Sequence, residues 1–147
     1  MATVFYYAAK FVCGKPSSET STTAPPLAPG IYYTAINVRN TTHSTIELIR
    51  KQFAVALPGE KAGTVHGWFD VSPDLKKDEA MEIDTQDIRN HTNTAGQSSL
   101  LKGFAVIKSI VELDVVAVYT AAAAGNVVSI HTERVPPRKL TENWPNP

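Results

Sequence analysis

The chain has 147 residues, of which 43% are hydrophobic and 19% charged, which fits one globular domain with its own core and excludes a disordered chain. Fourteen basic residues balance fourteen acidic ones, so overall charge does not draw the protein to nucleic acid or to an anionic membrane. A single cysteine, Cys13, excludes an intrachain disulfide and with it the disulfide-dense secreted scaffolds.

The first fourteen residues, MATVFYYAAKFVCG, lack the basic start of a signal peptide and carry Lys10 within their apolar stretch. Export after removal of an earlier leader stays open, so compartment is undecided between cytoplasm and surface. From Val4 to Cys13 the chain is aromatic and aliphatic with little polar alternation. That pattern predicts a strand buried on both faces, or covered on one face by a partner. Residues 15–30, KPSSETSTTAPPLAPG, cannot pack as a regular element and read as a solvated crossover or a flexible linker.

Ile31, Tyr33 and Ala35 alternate with Tyr32, Thr34, Ile36 and Val38, which predicts a half-buried strand. In Thr45–Leu57 the apolar parity switches between Leu48 and Ile49, near which a β-bulge or bend is expected. Shorter strands follow at Thr64–Val71, with Trp68 and Phe69, and at Ala80–Ile83. Residues 85–91, TQDIRNH, read as one helical turn capped by Thr85. Phe104–Lys108, Val111–Thr120 and Val127–Val135 complete the pattern, and Pro136-Pro137 stops it. Residues 138–147 read as a tail. The expected architecture is therefore all-β, a two-layer antiparallel sandwich or jelly roll of about eight or nine strands. Its parts are an N-terminal strand (1–14), the connection (15–30), the core (31–137) and the tail. No apolar run approaches the roughly 20 residues that span a bilayer as a helix.

Motifs for chemistry are absent from the sequence. His43, His66, His91 and His131 are dispersed, and Cys13 has no CxxC companion. No nucleophile elbow, P-loop or dinucleotide-binding glycine pattern occurs. Asn40-Thr41-Thr42 and Asn90-His91-Thr92 fit the N-glycosylation sequon. Seven carboxylates crowd residues 70–87 against only Lys76 and Lys77, leaving that segment near −5 and the rest near +5. Within it Asp74, Asp78, Asp84 and Asp87 are the candidate ligands for calcium, which takes several oxygens from irregular backbone. A solvated acidic loop and an electrostatic docking face are the other readings. Tyr32, Tyr33 and Trp68 are candidates for a sugar-stacking platform.

The stretches KFVCG, PGIYYTAINVRN, FAVALPGE, VELDVVAVYTA and ERVPPR resemble an uncharacterised bacterial β-sandwich family. The resemblance implies one β domain and a prokaryotic origin, and it transfers no catalytic residues. A looser, fold-level similarity is to jelly-roll subunits of bacterial surface appendages, which join through terminal extensions and sheet edges.

Two functions from different classes are expected. The first is a non-catalytic structural protein that self-associates, in filaments or a closed homo-oligomer. Its sheet edges or an exchanged N-terminal strand (Val4, Phe5, Tyr6, Tyr7, Phe11 and Val12) would join the subunits. On that reading, deleting residues 1–14 abolishes assembly and leaves a folded remainder. The second is a binding module for a glycan or another small ligand, ordered by calcium or free of any cofactor.

Overall fold

The computed structural model describes residues 1–16, 27–71, 74–123 and 126–145. Their strands are β1 (Ala2–Cys13), β2 (Ile31–Arg39), β3 (Arg50–Leu57), β4 (Lys61–Asp70) and β5 (Ala80–Asp84). The helix α1 (Thr85–His91) follows, and then β6 (Leu101–Ser109), β7 (Asp114–Ala123), β8 (Asn126–Arg134) and β9 (Arg138–Glu142). A five-stranded sheet in the order β4-β3-β6-β1-β9 lies against a four-stranded sheet in the order β5-β2-β7-β8. Every pairing between these strands is antiparallel. The chain is thus an all-β sandwich with one short helix.

Alternation puts the expected side chains between the layers. Tyr7, Phe11, Phe53 and Ile107 from the larger sheet meet Ile36, Val38, Ile83, Val115 and Ala117 from the smaller one, all buried. Phe11 and Phe53 pack edge to face with centroids 6.3 Å apart. Tyr7 stays buried because its hydroxyl accepts the Leu113 amide at 2.6 Å. Ile88 closes the end of the core from α1. The cap of that helix is Asp84 rather than Thr85: Asp84 accepts the Asp87 amide at 3.0 Å, and Asp87 accepts the Asp84 amide at 3.0 Å. Thr85 instead turns its hydroxyl inward, where it accepts the Thr34 amide at 3.1 Å.

The layers are joined by hydrogen bonds at one corner. Val12 donates its amide to Thr34 Oγ1 at 2.9 Å, and Thr34 Oγ1 donates back to the Val12 carbonyl at 2.8 Å. One step on, Gly14 and Tyr32 exchange backbone bonds at 2.8 and 2.9 Å. Gly14 has φ +90, and a Cβ there would meet Arg89 Nη2 and Ser99 O at 2.4 Å. Only glycine fits.

Three readings of the sequence change. Of the bulge or bend expected near Leu48–Ile49, no bulge is present; the strand is interrupted there, with Ile46 in a separate bridge to Leu75 and β3 beginning only at Arg50. The irregularity lies in the β3–β4 ladder, which shifts register between Lys51 and Phe53 and again between Ala54 and Ala56. Residues 138–142 are not a tail but an edge strand, paired from Ala2↔Glu142 to Tyr6↔Arg138. The N-terminal strand stands inside the chain's own sheet, bonded by β6 on one side and β9 on the other. Deleting residues 1–14 would remove a strand that carries Val4, Tyr7 and Phe11, all fully buried, so no folded remainder is expected. Of the connection at 15–30, residues 17–26 lie outside the described residues.

Candidate functional site

The acidic stretch is dispersed by the fold. Asp84 and Asp87 hold each other in the helix cap. Asp78 lies 3.4 Å from Arg39. Asp74 and Asp87 line a groove of about 460 Å³ with Glu79, Glu82 and Lys51. Burial pushes the Lys51 ammonium below its ordinary pKa range, and Asp87 acts against that push. Among the described residues, no three or more His, Cys, Asp or Glu side chains are arranged to hold a metal ion.

The aromatic candidates separate as well. Tyr32 donates its hydroxyl to the Ala28 carbonyl. Tyr33 is half exposed and lines a concavity of about 370 Å³ with Ala35, Val118, Thr120, Asp84, Thr85 and Gln86. Trp68 belongs to a cluster that no local pattern announces. Lys108, on β6, is buried with its ammonium 5.0 Å from the Trp68 ring, 5.4 Å from Tyr6 and 5.7 Å from Trp144. Glu142 Oε1 lies 2.6 Å from that ammonium, and Tyr6 donates its hydroxyl to Glu142 Oε2. Hydrogen bonding to Lys108, then to Tyr6, holds the Glu142 carboxyl below the usual carboxylate range. The cluster fastens β9 and Trp144 over the outer side of the larger sheet.

Other reactive groups are enclosed. Cys13 is fully buried, and burial pushes its thiol up; the Thr85 hydroxyl and the Arg89 guanidinium oppose the shift. Asn40 is fully buried too. Its amide donates to the Ser44 and Leu75 carbonyls at 2.8 and 2.9 Å, so the first sequon is sealed inside the fold. His91 stacks on Phe53 at 5.5 Å and meets the edge of Phe69 at 4.7 Å. Burial, with Glu133 nearby, pushes the Tyr119 hydroxyl up to about 12.

The surface that the core leaves open is a strand edge. An unpaired edge offers a row of amides and carbonyls to another strand, and proteins guard such edges with charge, bulges or shortness. β5 is five residues long and carries Glu82 and Asp84. β9 is also five residues long and carries Arg138, Lys139 and Glu142. β4 is disturbed by two register shifts against β3. β8 differs from all three. All nine of its residues are exposed, with Val127, Val128 and Ile130 at 70%, 63% and 68%. One register shift, beside Ala121 and Ala122, disturbs its first third, and the ladder is regular from Ser129 to Arg134. Large β-branched apolar side chains on an open edge are a mark of a surface that is covered in use.

The fold has a solved counterpart. The crystal structure of Thermotoga maritima 1070 superposes with a TM-score of 0.50 at 11% identity, over 92% of this chain and 93% of that one. At that identity the likeness shows the fold alone. No protein-family model and no curated protein matches the chain. Among the described residues, no helix is long and apolar enough to cross a membrane.

The six β1 positions expected to join subunits stand inside the chain's own sheet. Val4, Tyr7 and Phe11 are fully buried, while Phe5, Tyr6 and Val12 are half buried. The open edge lies instead on β8. Its sequence, NVVSIHTER, alternates as a half-covered strand would, and only the absence of a covering layer distinguishes it.

Proposed function

We propose that the chain is a non-catalytic structural protein that self-associates through sheet edges, with β8 as the joining strand. The exposed row Val127, Val128 and Ile130, on an edge whose charges Glu133 and Arg134 are confined to one end, is the observation that carries this reading. Zero net charge leaves no long-range repulsion to oppose association. The looser, fold-level similarity to subunits of surface appendages, which join through sheet edges, is compatible with such a role.

Ile130→Lys is the direct test, measured by light scattering and thermal melting together. The intact chain is expected to be oligomeric at tens of micromolar, and the variant monomeric. Because Ile130 lies on the surface, folding stability should change by no more than about 0.5 kcal/mol. A monomeric intact chain, or a variant that stays oligomeric, sinks the reading.

A second reading rests on the concavity beside Tyr33. A half-exposed ring above an apolar floor, rimmed by Asp84, Gln86 and Thr120, suits a glycan or another small polar ligand.

A further inference from the structure

Unequal edges also bear on how such an assembly would end. A filament needs two different receptive edges on one molecule, since head-to-tail addition joins one edge to another on the next copy. Strand direction does not forbid that route. The smaller sheet is antiparallel throughout in the order β5-β2-β7-β8, so β5 of a translated copy would meet β8 antiparallel. The chemistry of β5 opposes it. Docking there would bring Glu82 and Asp84 against Val128 and Ile130, desolvating carboxylates beside groups that cannot compensate them. β9 and β4 are guarded by charge, shortness and irregular register, as described above.

We infer that β8 pairs with β8 of a second copy about a two-fold axis at Ile130, closing the assembly as a dimer with one continuous eight-stranded sheet. This rests on the edge-association reading. An edge whose only fit is itself forms an isologous contact, which uses up both open surfaces at once. Ile130 is the midpoint of Asn126–Arg134, so this register alone aligns the two strands end to end. It sets Ser129 opposite His131 of the second copy, within the stretch of β8 whose ladder with β7 is regular. No like charges face each other across the ladder. Shifting the axis to His131 would set imidazole against imidazole and leave Val127 beyond the ladder's end.

Cysteine cross-linking reads the axis directly, because the native thiol, Cys13, is fully buried. Directly opposed positions bring their Cβ atoms to about 4.5–5.5 Å, near enough for a disulfide after slight adjustment. Thr132 would lie four positions along from its own copy, about 13 Å away. Under mild oxidation Ile130→Cys should therefore form a covalent dimer, and Thr132→Cys at least tenfold less of it. A mixture that leaves Ile130 intact gives a second readout: Ser129→Cys with His131→Cys should cross-link to each other, and neither should do so alone. Light scattering of the unmodified chain should give twice the 15.9 kDa of one chain, with no larger species as concentration rises.

Filaments or larger masses would overturn the closed dimer and leave self-association standing. A dimer that cross-links equally well at Thr132, or fails in both the Ile130 and the mixed pair, would overturn the axis. A monomer at tens of micromolar would remove the edge reading itself.

Discussion

A chain shortened to end at Pro137 is expected to melt about 10 °C lower than the intact protein, a loss of about 3 kcal/mol. The cause lies in Lys108. Its side chain is only 3% exposed, and its ammonium sits between three rings and the Glu142 carboxylate. Removing Glu142 and Trp144 takes a carboxylate and one ring from that charge while Tyr6 and Trp68 stay beside it, and stripping one partner from a buried ion pair costs about 3–5 kcal/mol. Glu142 is itself about a quarter exposed, so the lower end applies. The same truncation bares the edge of β1 from Ala2 to Tyr6, and the shortened chain should aggregate on heating. Thermal melts of the two proteins side by side decide the matter. A difference within two degrees or so would mean that residues 138–147 are the tail their composition suggests.

Gly103→Ala should be a severely damaging single-methyl change. A Cβ there would sit 2.0 Å from the Ala54 carbonyl oxygen and 2.8 Å from Phe11 Cζ. Neither neighbour can retreat, because β6 is the middle strand of its sheet, with β3 and β1 bonded on either side. Overpacking into a rigid core costs about 1–3 kcal/mol, and the clash with backbone places this case at the upper end or beyond. Gly96→Ala is the control. Nothing lies within 4 Å of its Cβ, and its φ of +78 alone should cost about 1–2 kcal/mol. Urea unfolding of both variants separates packing from backbone strain, and equal losses would refute the packing argument.

Where a strand borders water on one side and the core on the other, period two was enough to orient it. Ile36, Val38, Val115 and Ala117 all lie on the face their alternation assigns. β8 shows the limit of that rule. Ile130 and Thr132 alternate just as well as the residues of β2, yet none of the described residues covers them. Alternation reports a two-sided strand and not what stands against it. β9 was hidden for the opposite reason. RKLTE has ordinary polar composition between Pro137 and Pro145, and it becomes a strand only because β1, more than 130 residues earlier, offers it a ladder. The Lys108 cluster gathers Tyr6, Trp68, Glu142 and Trp144 from three separate segments. No window along the chain contains it. The acidic stretch misled in a different way. Charge density is a property of composition, whereas Asp84 and Asp87 are engaged in a helix cap and Asp78 faces Arg39.

The place of β1 also sets the order of events by which the chain takes shape. It pairs Phe5 with Ser109 and Ala2 with Glu142, so its partners leave the ribosome long after it does. β3 and β4 can form a hairpin early, as can β7 and β8, each from neighbouring segments. The five-stranded sheet can close only when the first strand meets the last. Loop closure over such separations slows folding toward the millisecond-to-second range typical of β-sandwiches. Until then Val4, Tyr7 and Phe11 have no lasting cover, and the aromatic start of the chain is the segment most in need of protection while synthesis proceeds.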